Sequence, residues 1–260
     1  MRPRWILVFS AMLLAGCASG HGPSPSPATG ATTAAAQPTK PTAGLELSGK
    51  YRIEQKLPDG SYTYTEEAFV VPRGEAAYDL FWYRYRNPGF MGFGILVDDV
   101  LGTVYQSETS QTTGMGIVVY HIDGGELRGV RMMESSMNGE AGQEWLKGSP
   151  DLLGKLDIVK SVNPYGAANY EGFVTIDRSG DRYVLHWNTP NRSYSGIGLR
   201  IADKLVVGFS SDYELPGVFG YCVNEHGMTG HGARSPSGEV MHQHLQPRTS
   251  LKDASALPQC

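Results

Sequence analysis

Tyr78-Asp79-Leu80-Phe81-Trp82 is the stretch on which the fold turns. Tyr78, Leu80 and Trp82 alternate with Asp79 and Phe81, so three large side chains share one face of an extended strand. The same pattern returns as Tyr183-Val184-Leu185-His186-Trp187. Glu67, Phe69 and Val70 precede the first copy as Glu171, Phe173 and Val174 precede the second. Downstream, Gly92 and Gly94 match Gly196 and Gly198, and Asp99 and Leu101 match Asp203 and Leu205. Gly116 and Tyr120 match Gly217 and Tyr221, and Gly129 and Leu146 match Gly230 and Leu245. The offset drifts only from 105 to 99 residues, so the order survives with small insertions and deletions. The chain therefore holds an internal duplication, with a first β repeat over 45–153 and a second over 154–260.

Each repeat parses as about eight short strands separated by turn signals, the rhythm of a barrel or sandwich. Val97-Asp98-Asp99-Val100 and Ala202-Asp203-Lys204-Leu205 read as hairpin turns, and Asp177-Arg178-Ser179-Gly180 as another. Only Gly139–Leu153 has room for a helical turn or two. Each Gly-x-Gly pair lies on one strand face and leaves a gap that an aromatic can cover. Trp82 and Trp187, on the preceding strands, are the expected covers. A phosphate-binding loop would need a third glycine and a following helix, and neither is present. The expected fold class is all-β: two tandem antiparallel meanders, each a small barrel or half of a larger one. By analogy of architecture this is lipocalin- or avidin-like.

Composition bounds the function. Among 260 residues, 40% are hydrophobic and 10% aromatic, enough for a core and too many for a disordered chain. The net charge of −4 argues against nucleic acid as a partner. Only one early segment is continuously apolar, which excludes a multi-span helical membrane protein.

That early segment has the layout of an export signal. Arg2 and Arg4 precede an apolar run from Trp5 to Leu14, and Leu14-Ala15-Gly16-Cys17 follows. The tetrad resembles the lipobox of bacterial lipoproteins. The resemblance covers the signal peptide, residues 1–16, and not the mature domain. It implies cleavage before Cys17, thioether lipidation of Cys17 and acylation of its new amine, palmitate among the acyl chains. The protein is then anchored in the cell envelope through the membrane. Ala18 stands where an aspartate would retain the protein at the inner membrane, so the outer membrane is the expected site. Loss of Arg2 and Arg4 with the leader leaves 20 basic against 26 acidic residues, a net charge of −6. Lipidated Cys17 and the Ala/Thr/Pro-rich stretch to residue 44 carry a single charge, Lys40, and no large apolar side chain. Such a stretch cannot offset its ordering entropy and reads as a disordered tether of roughly 30 Å mean span.

Chemistry is sparse. There is no Gly-x-Ser-x-Gly elbow, His-Glu-x-x-His helix or Gly-Lys-Thr loop. The acid pairs Glu66-Glu67 and Asp98-Asp99, and Glu134, do not by spacing alone define a general acid and base. The densest group is Glu225, His226, His231, His242 and His244, a candidate zinc or copper set. Strand alternation around Leu245 turns His242 and His244 outward, which favours solvated histidines over a metal cofactor. Tyr83, Tyr85, Phe90 and Phe93, with Tyr194 in the second repeat, are candidate aromatic contacts for a ligand. Export also favours a disulfide between Cys222 and Cys260. These features together suggest a non-enzymatic, lipid-anchored envelope protein that binds a protein partner or a small ligand. An envelope metal protein or enzyme using the histidine group is the alternative.

Overall fold

The computed structural model describes residues 45–84, 87–110, 112–212, 214–234, 239–248 and 258. The signal, Cys17, the tether, Tyr85 and Cys260 lie outside the described residues. Sixteen strands follow one another. They are β1 (Gly49–Lys56), β2 (Tyr62–Pro72), β3 (Ala77–Arg84), β4 (Asn87–Val97), β5 (Val100–Ser107), β6 (Gly116–Asp123), β7 (Glu126–Met133) and β8 (Gly142–Lys147). The second repeat supplies β9 (Gly154–Val162), β10 (Phe173–Ser179), β11 (Arg182–Asn188), β12 (Ser193–Ile201), β13 (Lys204–Ser210), β14 (Gly217–Asn224), β15 (Gly227–Ala233) and β16 (Met241–Pro247). They close into two antiparallel eight-stranded barrels, as the strand count of the sequence suggests.

The barrels are not drawn up repeat by repeat. One is contiguous and uses β6 to β13. The other is split: β1 to β5 join β14, β15 and β16, with β14 pairing to β5 and β16 to β1. Since β9 to β16 repeat β1 to β8, each barrel takes five strands from one repeat and three from the other. The division between the repeats falls between β8 and β9, inside the contiguous barrel. The expected pair of barrel-like units is present, but each barrel draws strands from both repeats and not from one.

The exchange follows from the two crossings, residues 108–115 after β5 and 211–216 after β13. They run beside each other and are tied together. The Asp212 carboxylate accepts from the Thr113 backbone N–H at 2.6 Å and from its hydroxyl at 3.0 Å. The strands beside the crossings explain the pull. In β5, Leu101 and Tyr105 face the split barrel's interior, while Val100 and Val104 face the other barrel. In β13, Leu205, Val207 and Phe209 fill the contiguous barrel, and Val206 faces the split one. Strands apolar on both faces need cover on both faces. A shared core of Ile95, Val104, Ile117, Val119, Ile197, Leu199, Val206 and Val218 supplies it between the barrels. Gly102, set against Val119 and Val206, and Gly208, set against Val104 and Val218, let the two walls approach.

Both interiors are filled by side chains. Tyr51, Leu80, Trp82, Leu101, Tyr221 and Leu245 pack in the split barrel. Tyr120, Leu146, Ile176, Leu185, Trp187 and Leu205 pack in the contiguous one. Full burial of each aliphatic among them stabilises by about 1.5–3 kcal/mol.

Three local expectations are corrected. Gly139–Leu153 holds no helix but β8, because Gly142, Glu144 and Leu146 alternate inward with Gln143 and Trp145. Asp177 to Ser179 continue β10, and the turn is made one step later at Gly180, which has φ of +62°. Trp82 and Trp187 do not cover the Gly-x-Gly pairs. The space beside Gly92 and Gly94 is taken by β5, through Val104, Tyr105 and Thr103. That beside Gly196 and Gly198 is taken by β13 together with Leu185 and Tyr183. The tryptophans lie further along, opposite Phe90 and Tyr194, and reach the barrel interiors. Rings do lie on glycines elsewhere: Tyr105 on Gly217, and its counterpart Phe209 on Gly116.

Candidate binding site at the barrel mouths

The two barrels carry matching mouths. In the contiguous barrel, Trp187 near the end of β11, Tyr194 at the start of β12 and Phe209 at the end of β13 form an aromatic wall. Trp187 and Phe209 have ring centroids 5.3 Å apart, and Tyr194 meets Phe209 edge-on at 5.7 Å. The split barrel repeats this with Trp82, Phe90 and Tyr105. Trp82 and Tyr105 are 5.5 Å apart, and Phe90 meets Tyr105 edge-on at 5.6 Å.

Behind each wall sits a polar position on the third strand contributed by the other repeat's meander. In the contiguous barrel this is Glu144, fully buried on β8. Its carboxyl accepts hydrogen bonds from the hydroxyls of Tyr120 and Tyr170 and from Trp187 Nε1, the last at 3.0 and 3.3 Å to its two oxygens. Burial raises the Tyr120 and Tyr170 hydroxyls above the usual tyrosine range, and the nearby Glu144 charge raises them further, so both remain donors. Arg131 lies 4.8 Å over Phe209, 5.1 Å over Tyr170 and 5.5 Å over Tyr194, closing the mouth with a cation on three rings.

In the split barrel the counterpart of Glu144 is Gln243, which accepts from the Tyr221 hydroxyl at 3.1 Å. Tyr170's sequence position is held by Glu66. Among the described residues no ring plugs this mouth. A pocket of about 190 Å³ remains, lined by Glu66, Trp82, Phe90, Tyr105, Arg234 and Gln243 among others. Arg234 lies 4.2 Å over the Phe90 ring. Trp82 is 3% exposed and Tyr105 4%. Among the described residues neither Trp82 Nε1 nor the Tyr105 hydroxyl has a hydrogen-bond partner. Tyr221 approaches Trp82, and Arg234 approaches Tyr105, without reaching bonding geometry.

The aromatic candidates from the sequence do not form one surface. Phe90 lines the split barrel's pocket and Tyr194 the mouth of the contiguous barrel. Phe93 is buried in the core between the barrels. Tyr83 stacks edge-on against Phe69 at 5.1 Å, away from the pocket. Tyr85 lies outside the described residues.

The histidine group is dispersed. Glu225 Oε1 and His226 Nε2 lie 3.3 Å apart at the β14–β15 turn. His231 and His242 face each other across β15 and β16 with rings 5.5 Å apart. His244 stacks on Tyr62 at 4.1 Å. Among the described residues no three histidines, cysteines or acids are placed to hold a metal ion. His242 is exposed and its neighbours Gln243 and Leu245 are buried, which is the outward orientation the alternation implied.

Among the acid pairs, Glu67, Asp98 and Asp99 make structural ion pairs, while Glu66 lines the pocket. Glu67 pairs with Lys50 and Arg248, each at 2.6 Å. Asp98, Asp99 and Asp203 surround the buried Lys204 ammonium at 3.3, 3.8 and 3.0 Å, and His121 bridges Asp98 and Asp203. Sequence reasoning missed Glu144, Gln243, Arg131 and Arg234. For the first two a signal exists. Glu144 shares strand parity with Leu146, as Gln243 does with Leu245, so both polar residues sit on core-facing positions.

The chain matches no protein-family model, no curated protein and no solved structure.

Proposed function

We propose that the protein is a non-enzymatic binding protein of the cell envelope, anchored by lipid at Cys17 and recognising a small ligand or a protein partner through its duplicated β scaffold. The observation that carries the binding reading is the contrast between the mouths. The contiguous barrel fills the place beside Glu144 with its own Tyr170 and Arg131, and the cavity of about 420 Å³ at that end is lined by Arg131, Met137 and Tyr165 and by none of Glu144, Trp187 and Phe209. The split barrel leaves the matching place open. A duplicated scaffold with one copy sealed and one open suits a division between a structural copy and a binding copy. A screen of small metabolites by thermal shift tests this directly. Ligands that stabilise the full chain support it, and an empty screen together with no cross-linked partner in cells overturns it.

The anchor rests on the Leu14-to-Cys17 tetrad and the tether that follows, whose one charge is Lys40. Several acyl chains hold a protein at a membrane firmly without a spanning helix. Cys17→Ser abolishes radiolabelled-palmitate incorporation and moves the protein from the outer-membrane to the soluble fraction. Retention of label sinks the anchor.

The pairing of Cys222 with Cys260 belongs to the same reading of an oxidising compartment. Cys222 is buried on β14, beside the core between the barrels. Closing a loop of this length contributes about 3–4 kcal/mol by the chain-entropy account. Intact-mass measurement after alkylation without reductant detects no free thiol at either position if the pair is formed.

A further inference from the structure

We propose that the mouth of the split barrel binds a small monocarboxylate, held by Trp82, Tyr105 and Arg234. This rests on the binding reading above and names its ligand class. Buried donors without acceptors are costly and uncommon. Here two lie in one pocket, Trp82 Nε1 and the Tyr105 hydroxyl, on side chains almost wholly buried. Both are donors in need of an oxygen.

The sister barrel shows which oxygen the scaffold uses. The equivalent tryptophan, Trp187, donates to the carboxyl of Glu144. In the split barrel that carboxyl is replaced by the Gln243 amide, whose oxygen is engaged by Tyr221. A ligand carboxylate entering from solvent restores the missing acceptor. Arg234, flattened on Phe90 at the rim, supplies the counter-charge with a guanidinium whose paired N–H groups match a carboxylate. In the sister mouth a cation from a different register position, Arg131, lies over Tyr194, the ring that matches Phe90.

Charge narrows the class. The pocket of about 190 Å³ shares Phe90, Tyr105 and Arg234 with a second of about 250 Å³, so the smaller volume does not bound the ligand. Glu66, on the pocket wall, is an acceptor and suits a hydroxyl or ammonium at the ligand's other end better than a second carboxylate. Dicarboxylates are disfavoured on this count.

The test titrates the purified full chain with acetate, lactate and glycine, with acetamide and lactamide as uncharged partners, and with succinate as the dianion. Intrinsic tryptophan fluorescence and calorimetry read binding. The monocarboxylates saturate, and the amides and succinate bind at least about tenfold more weakly. Arg234→Gln, at an exposed rim position, weakens acid binding by about tenfold or more while the melting temperature without ligand stays unchanged. Trp82→Phe does the same for acids, and Tyr194→Phe in the other barrel leaves binding unaltered. Equal binding of acids and amides, or no saturation by any acid, overturns the proposal. A solute from the wider screen that still binds both Trp82→Phe and Arg234→Gln also overturns this site, while leaving the general binding reading in place.

Discussion

Glu144 shows how much a single core position decides. Three donors converge on it, from Tyr120, Tyr170 and Trp187. Glu144→Gln keeps the shape but turns an amide N–H₂ toward donors. We expect a loss of about 1–3 kcal/mol, read by urea denaturation, because at least one buried donor is left unpaired. The position was legible as core-facing from its parity with Leu146. Its partner Tyr170 was not, because it comes from the irregular segment before β10, where no periodicity operates. The histidines allow a second expectation. Burial lowers the proton affinity of His231, with His242 lowering it further, and burial also lowers that of His244. Below about pH 6.5 the unfolded chain therefore binds protons that the folded chain does not. Stability falls as pH drops through that value and levels off below the folded-state values. Denaturation midpoints at a series of pH values show this slope, and it flattens in the His231→Gln, His244→Gln double variant.

At the scale of elements, strands were readable and their partners only in part. Alternation placed β3 and β11 correctly because Tyr78, Leu80 and Trp82, like Tyr183, Leu185 and Trp187, are all buried. It missed β8, where Gly142, Gln143 and Glu144 masked a strand with only Trp145 and Leu146 as large apolar residues. It also assigned the Gly-x-Gly cover to the wrong neighbour, since pairing register, not sequence proximity, decides what lies over a glycine. The matched pairs Phe209 on Gly116 and Tyr105 on Gly217 follow from that register. A methyl group at Gly116 displaces the Phe209 ring and with it the aromatic wall. Gly116→Ala is expected to lower stability by about 1–3 kcal/mol in thermal melts. A change within a few tenths would mean that the ring moves freely.

For the whole molecule, the repeat was visible in sequence and the exchange was not. Similarity between β1–β8 and β9–β16 says which strands are alike, but not which copy pairs with which. That choice lies in the two-faced burial of β5, β6, β13 and β14 and in the crossings tied by Asp212 to Thr113. It follows that a cut between the repeats leaves both barrels incomplete. Fragments 1–153 and 154–260, expressed apart, should lack the far-ultraviolet and near-ultraviolet dichroism of the intact chain, and co-refolding should restore both. A folded, monomeric 1–153 fragment would show that the exchange is dispensable.

The pairing of β1 with β16, from Tyr51 opposite Pro247 to Gln55 opposite Gln243, has a bearing on timing. A chain that leaves a ribosome or a translocon amino end first delivers β1 to β5 early and β16 last. The contiguous barrel can close while the remainder is still in transit. The split barrel cannot, and its five leading strands must wait for about 110 intervening residues before β14 arrives. Because Gln243 lies on β16 and Arg234 directly after β15, the pocket is assembled only in the final step. No partly delivered chain can therefore present the complete pocket, so the ligand proposed above would be held only by a chain delivered as far as β16.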